Sequence, residues 1–354
     1  MTNQILRLRF GKDSVLTQEQ VEGRRLVGPT TITELSGVGA SVGGVATDRS
    51  GNIYFTDYER HAVFKTSSDG RTVLLAGLPG TSGINGALTN VKAEDARFNA
   101  PRGIAVDNSG NIYVADSGNN QIRVIVNGRV SHVAGSATGA SGFDAGVGED
   151  ATFNNPWALD IDNSGTLWVV DNGNHAVRQL KDGKVLNYAG NGIAGNGVNV
   201  SSTDGAIFDS PTGITANKRG DLFVTDAGNN MVKKISQSGW VYQHSGSGAS
   251  GTSLGTGATR QFTCEYSSLT AISSDANSVY LVDFVDVEEA SSESSESSES
   301  SESSEDAEVP FSRIIRLDAD GVPGLVFELS EAGSENAVGI AIDRNQDIIV
   351  ACAE

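Results

Sequence analysis

The chain has 354 residues, a formal charge of −19, 43 glycines and two cysteines. Its acidity opposes a nucleic-acid backbone, whose binding needs a basic footprint. No segment approaches the ~18 consecutive apolar residues of a membrane-spanning helix, so a membrane span and nucleic-acid binding are both set aside.

The first segment, MTNQILRLRF, lacks the apolar core of a signal peptide and reads as a strand. The compartment stays open between cytoplasm and secretion with a leader removed. From Gly44 the chain repeats a phrase: GVATDRSGNIYFTD, then GIAVDNSGNIYVAD from Gly103, ALDIDNSGTLWVVD from Ala158 and GITANKRGDLFVTD from Gly213. A degraded copy starts at Ala271 and a partial sixth, GIAIDRNQDIIVAC, at Gly339. Their anchors are Asp48, Asp107, Asp162, Asn217, Asp275 and Asp343, spaced by 55 to 68 residues. Self-similarity on this scale decides architecture before any single residue does.

Each copy holds four short runs rich in β-branched and aromatic residues. The first two are joined by a polar turn, and the last two meet at Asn127-Gly128, Asp182-Gly183 or Asp69-Gly70, dipeptides suited to tight hairpins. The opening segment Asn3–Leu16 matches the third and fourth runs at Asn120–Val133 and completes the partial sixth copy. The expectation is an all-β, six-bladed β-propeller of four-stranded antiparallel blades. Its closing blade is shared by N- and C-terminal strands, and residues 1–354 form one domain. Cys264 falls in the slot of Ala96, Ala151 and Ala206, and Cys352 in the slot of an Asp, so both read as small buried thiols.

The repeat core resembles the NHL family of propellers. The residues that carry this are GIAVDNSGNIYVAD followed by GNNQI, and a second signature, ARFNAPRG (Ala96–Gly103), ATFNNPWA (Ala151–Ala158) and AIFDSPTG (Ala206–Gly213). The resemblance implies the fold, and leaves function among docking, ligand capture and catalysis. Family members that bind RNA use a basic face, which this composition opposes. Peptide-amidating lyases of this likeness hold zinc with several histidines. Here His61 and His175 recur at one repeat position, and His132 and His244 fall in fourth strands at the rim, so no three-histidine site is expected. The acidic residues of gluconolactonase-like and strictosidine-synthase-like propellers are not located by motif.

Antiparallel strands put the loops after strand two and before strand one on one face. That face carries the Gly-rich segments 77–101, 135–156, 190–211 and 246–269, and is the expected functional face. The third position of strand one should line the channel: Ala46, Ala105, Asp160, Thr215, Ser273 and Ala341. Asp160 with Thr215 and Ser273 is the candidate holder of an ion or polar ligand, Ca²⁺ being the candidate cofactor; solvation of Asp160 by channel water is the competing account. At the mouth, Arg102 and Trp157 stand between the Pro and Gly/Ala of the second signature, and Tyr58, Asn172 and Phe284 follow the strand-two aspartates. These form a candidate recognition surface, against which stands packing of Trp157 under a long loop. Asp57, Asp116, Asp171, Asp226 and Asp283 recur, and are expected to cap the turns that follow them. Phe98, Phe153 and Phe208 are expected as wedges between blades.

Five Ser-Ser-Glu triplets run from Ser291 to Glu305, within an acidic insertion at about 286–309 between strands two and three of the fifth copy. With no apolar residue in the triplets to offset ordering entropy, disorder is expected. Ser303, with Asp306 three residues on, suits an acidophilic kinase, and its phosphorylation would extend the pattern to Ser300. A phosphorylated loop would attract Ca²⁺ or a basic partner; the bland account is an unmodified spacer. The reading reached is a non-catalytic binding or docking propeller that recognises a protein or small ligand through the long-loop face and channel mouth. The alternative is a metal-dependent lyase or lactone hydrolase working at the channel. The oligomeric state is left open.

Overall fold

The computed structural model describes residues 4–9, 31–36, 41–85, 90–198, 200, 205–249, 269–272, 279–285, 311–318, 320, 323–328, 336–342 and 347–353. The described strands group into antiparallel sheets, whose four main strands follow chain order from the innermost outward in sheets 1 to 5. Sheet 1 comprises Val42–Thr47, Ile53–Asp57, Ala62–Thr66 and Thr72–Gly77. Sheet 2 comprises Ile104–Val106, Ile112–Asp116, Gln121–Val126 and Arg129–Ala134. Sheet 3 comprises Pro156–Ile161, Leu167–Asp171, Ala176–Lys181 and Lys184–Ala189. Sheet 4 comprises Pro211–Ala216, Leu222–Asp226, Met231–Ile235 and Val241–Ser245. Sheet 5 comprises Leu269–Ile272, Val279–Val285, Phe311–Leu317 and Pro323–Glu328. Sheet 6 joins Asn336–Ile342 and Ile348–Ala353 to Gln4–Arg9 and Thr31–Ser36.

The opening segment supplies the third strand of sheet 6, with Gln4 opposite Cys352 and Leu8 opposite Ile348. The fourth strand differs from expectation: Thr31–Ser36 pairs with Gln4–Arg9, in place of a hairpin closed by Leu16. In sheets 2 and 3 a short fifth strand, Val91–Lys92 or Gly146–Val147, pairs with the outer strand. Glycine-rich stretches read as loops therefore include edge-covering pairs, which occupy backbone groups otherwise open to a foreign strand. Sheet 5 carries the insertion point: Val285 lies opposite Phe311, so the serine–glutamate segment leaves and re-enters at one end of the sheet. The segment itself, with Ser300 and Ser303, lies outside the described residues, as does Cys264.

Short polar side chains explain the turns. Asp107 Oδ1 accepts from the amides of Ser109 and Asn111 at 2.8 Å each, and Oδ2 accepts from Asn111 Nδ2 at 2.7 Å. Asp48 makes the same set and also receives the Tyr54 hydroxyl, and Asp162 receives Trp168 Nε1 at 3.0 Å. An Asp at this place satisfies amides that a two-strand turn leaves open. At the third turn Asn127 and Gly128 have φ of 49° and 72°, and Asp182 and Gly183 of 50° and 74°, as a tight hairpin requires. At Asp69-Gly70 only the glycine has positive φ, and Ser67 bonds Arg71 across a longer loop.

The sheets pack face to face through the expected aromatic wedges. Phe98 is fully buried among Tyr54, Val63 and Ala76 of sheet 1 and Ile104, Val114 and Ile125 of sheet 2. Phe153 fills the same place between sheets 2 and 3, and Phe208 between sheets 3 and 4. The innermost strands lie beside one another in succession, from Val42–Thr47 through Ile104–Val106, Pro156–Ile161, Pro211–Ala216 and Leu269–Ile272 to Asn336–Ile342, which returns to Val42–Thr47. This radial stacking of antiparallel sheets is an all-β propeller.

Candidate ligand site at the channel mouth

The innermost strands enclose a cavity of about 230 Å³. Ala46, Ala105, Asp160, Thr215 and Ala341 line it, but so do their strand neighbours Val45, Ile104 and Leu159, so the lining does not separate alternate positions; Ser273 lies outside the described residues. Asp160 is a carboxylate in an otherwise apolar and hydroxyl-lined wall. Its oxygens are engaged: Oδ1 accepts from the Ile161 amide at 2.8 Å and Oδ2 from the Ala216 amide of the next sheet at 2.7 Å, with the Thr215 side chain a further partner. Burial pushes its carboxyl up to about 6, and these donors hold it down against that trend. Asp160 is thus a clasp between two innermost strands.

The long loops and the turns after strand two share one face. The Gly118 amide bonds Asn99 O, Gly173 bonds Asn154 O, and Gly228 bonds Asp209 O, each at 2.9 Å. On that face the structure brings together three of the mouth candidates, one from each of sheets 1 to 3. The guanidinium carbon of Arg102 lies 3.8 Å from the ring centre of Trp157 and 4.9 Å from that of Tyr58. Arg102 and Trp157 are half-buried, and Trp157 also packs on the core between sheets 3 and 4. Trp157 therefore touches both the Arg102 guanidinium and the core between sheets 3 and 4. Cation–π contacts of this kind contribute on the order of 0.5–2 kcal/mol each, more as the cation is desolvated. Desolvation lowers the Arg102 pKa, and Tyr58 works against that.

The remaining mouth candidates are placed differently. Asn172 donates through Nδ2 to Pro211 O at 2.9 Å, reaching into the next unit. Ser117 does the same to Pro156 O at 2.5 Å, so Asn172 belongs to a repeated inter-unit bond, while in sheet 1 Thr56, before the strand-two Asp, donates to Arg102 O at 2.5 Å. Phe284 sits in strand two of sheet 5, opposite Ser312.

The aspartate ring needs a correction. Asp116, Asp171 and Asp226 make no side-chain bond to the turn backbone that follows them. They reach back instead: Oδ1 of each accepts from the amide of Asn99, Asn154 or Asp209 in the preceding loop. Oδ2 accepts from Asn119, Asn174 or Asn229 and meets a buried cation of strand three. These pairs are Arg123 at 3.5 Å, Arg178 at 2.6 Å and Lys233 at 2.6 Å, with Arg313 at 2.7 Å from Asp283 in sheet 5. The cations of sheets 2 to 4 lie over the wedges Phe98, Phe153 and Phe208. Burial raises these three carboxyl pKa values and lowers those of their cations, while mutual attraction opposes both shifts. Asp57 differs in taking a backbone bond from its own turn, the Arg60 amide at 2.8 Å; Phe64 occupies the cation's place across the sheet.

The histidines follow the repeat where expected. His61 and His175 stand at φ of 56° and 50°, and their Nδ1 atoms accept from the amides of Ala100 and Ser210. Asn120 at φ 53° does the same for Asn155 through Oδ1. His and Asn interchange because both tolerate the left-handed region and both present an acceptor. His132 bonds Gly135 O at 2.8 Å, and His244 is buried edge-on to Phe223. Among the described residues no group of three or more His, Cys, Asp or Glu is placed to hold a metal, and no helix is long and apolar enough to cross a membrane.

Radial antiparallel sheets, Asp-anchored turns and an inter-sheet Phe define a β-propeller built from a repeated unit. The NHL repeat family matches that unit three times, at residues 98–125, 153–180 and 208–235. The chain thus carries NHL repeats on a β-propeller. NHL repeat-containing protein 2 of Gallus gallus is 30% identical over 231 residues, covering 57% of this chain and 30% of that protein. The chain therefore spans less than a third of that relative. A solved streptogramin B lyase superposes with a TM-score of 0.50 at 14% identity, covering 88% of this chain and 91% of that one. A gluconolactonase from Xanthomonas campestris gives 0.50 at 13% identity, covering 88% and 86%. At such identities the likeness concerns the fold.

Proposed function

We propose that this chain is a single six-bladed ring that works as a binding or docking module, taking a protein or small ligand at the long-loop face and channel mouth. The ring reading is supported by the succession of innermost strands that returns to its start. The binding reading is carried by one observation: Tyr58, Arg102 and Trp157, from successive units, converge on the face that bears the long loops. The repeat does not dictate them, since Arg102, Trp157 and Thr212 occupy equivalent positions with unrelated side chains. Rigid aromatic and arginine side chains are the usual anchors of recognition surfaces.

The test is retention of partners or ligands by the full chain and by an Arg102→Ala, Trp157→Ala double variant that melts normally. Loss of retention supports the reading; equal retention refutes it. The lyase or lactone-hydrolase alternative is tested by metal content of the purified protein, where a stoichiometric Ca²⁺ or Zn²⁺ at the channel would favour it. The serine–glutamate segment is proposed as a phosphorylation site at Ser303 and Ser300, which intact-mass measurement on native material checks.

A further inference from the structure

Among the described residues the buried cations have carboxylate partners: Arg123 with Asp116, Arg178 with Asp171, Lys233 with Asp226 and Arg313 with Asp283. Arg102 does not follow that pattern. Among the described residues no carboxylate pairs with it and no oxygen takes a bond from its guanidinium, although it is half-buried between two rings. Its N–H groups form a planar fork that matches a carboxylate with two parallel bonds. The guanidinium carbon lies over the Trp157 ring and over the Tyr58 ring, and a guanidinium stacked on a ring face keeps its in-plane N–H groups for an acceptor. A carboxylate lies in the plane of that fork. A phosphate can also engage the fork through two oxygens, but its remaining charged oxygens stand out of that plane, where ring faces offer them no donor.

We propose that Tyr58, Arg102 and Trp157 form a carboxylate-binding subsite, with the ligand's carboxylate on the edge of the Arg102 guanidinium and its organic portion against the rings. This rests on the mouth being the binding face, and supplies the chemical class of what enters there. The chain's charge of −19 repels anions at long range, so selection falls to this short-range fork, and a lone carboxylate should bind on the order of millimolar. The carboxylate could belong to a small organic acid or to a peptide terminus.

The full chain, with ¹⁵N-labelled arginine and tryptophan, is titrated with benzoate, benzamide and inorganic phosphate while the Arg102 Nε–H and Trp157 indole signals are followed. Benzoate should shift both to saturation, with benzamide and phosphate at least tenfold weaker. Arg102→Lys should weaken benzoate about tenfold by losing the fork, and Arg102→Met should abolish the response at an unchanged melting temperature. If Arg102→Met fails to fold, the benzoate–benzamide contrast on the unaltered chain still decides. No response to benzoate, equal affinity for benzamide, or phosphate binding as tightly as benzoate overturns the proposal. A free-acid dipeptide binding tighter than both benzoate and its own C-terminal amide assigns a peptide terminus; benzoate binding tighter assigns a small acid. Because the titration reads Arg102 directly, it succeeds or fails independently of whether a macromolecular partner is retained.

Discussion

Replacing Arg178 by Met tests the buried ion pairs. Arg178 is fully buried, and its Nη1 lies 2.6 Å from Asp171 Oδ2 and 2.9 Å from Thr152 O, while Nη2 lies 2.7 Å from Asp144 O. Methionine retains much of the packing on Phe153 and removes all three donors. Asp171 keeps the Asn154 amide and the Asn174 side chain, each at 2.8 Å, and is left as a buried charge with neutral donors. Removing one partner of such a pair costs about 3–5 kcal/mol. Protonation sets a ceiling on the charge part: from an unfolded value near 3.9, neutralising the carboxyl at pH 7 costs about 4 kcal/mol, and at pH 5 about 1.5 kcal/mol. The two orphaned carbonyls add roughly 1 kcal/mol apiece at either pH.

In the variant the folded carboxyl titrates above its unfolded value, so the folded state holds more protons and loses stability as pH rises from about 4 towards 7. Intact Asp171, pushed up to about 6, already gains part of its proton over that window, so the Arg178→Met penalty should be about 1 kcal/mol larger at pH 7 than at pH 5. Adding Asp171→Asn should restore most of the pH-dependent part. Urea unfolding followed by far-ultraviolet circular dichroism at the two pH values measures each quantity. A loss under 1 kcal/mol at pH 7, or one identical at pH 5, would refute the ion-pair account.

Asp57→Asn should change stability by less than ~1 kcal/mol, because Phe64 stands where other sheets place a cation and one Asp57 carboxylate oxygen already lacks a hydrogen-bond partner; its urea midpoint checks this. His175→Asn should be neutral within ~0.5 kcal/mol, and His175→Ala should cost about 1–2 kcal/mol through the unpaired Ser210 amide and the left-handed backbone, measured in the same assay. Burial, with Lys234 adding to it, pushes His244 down to about 4. Its folded value lies below its unfolded one, so stability present above pH 6.5 should fall by up to ~3 kcal/mol towards pH 4; thermal melts across that window, flattened in His244→Leu, report it. Asp160→Ala should cost roughly 1–3 kcal/mol by freeing the Ala216 amide, while benzoate binding at Arg102 stays unchanged.

The propeller was legible because each unit repeats the same local solutions. An Asp before a polar turn, Asn-Gly at a hairpin and Phe ahead of a Pro each state a backbone requirement within a few residues. The buried cations were less legible, though visible: NQIRVIV, HAVRQLK and NMVKKIS carry a basic residue at one register position inside an apolar strand. A strand with a buried face holds such a residue only if a carboxylate meets it. The strand-two Asp lies seven residues earlier, on the adjacent strand: Arg178 stands opposite Val169, two residues before Asp171. The aspartates looked like turn caps because pairing across a strand is weighed only once register is known. The fourth strand of sheet 6 was missed for a related reason. Similarity of Asn3–Leu16 to an internal hairpin identifies the third strand, but nothing local forbids the chain from returning later to supply the outer one.

The mouth shows where repeat reasoning stops and begins to be useful. Pro101, Pro156 and Pro211 hold equivalent backbone, and the residues after them face similar constraints: Thr56 bonds Arg102 O, and a Cβ on Gly103 would meet Trp157 O at 2.8 Å. Backbone packing thus fixes where side chains 102 and 157 start and says nothing of what they are. An arginine needs no place there for the fold; a threonine occupies the third instance and is buried. Sequence could set Arg102, Trp157 and Tyr58 on one face, but not place a guanidinium against both rings, because that depends on side-chain direction across two unit boundaries. Once it is so placed, the absence of a carboxylate among the described residues distinguishes Arg102 from the cations that stitch the blades. The same pairing rule that makes Arg178 structural makes Arg102 the position where an anion from outside should bind.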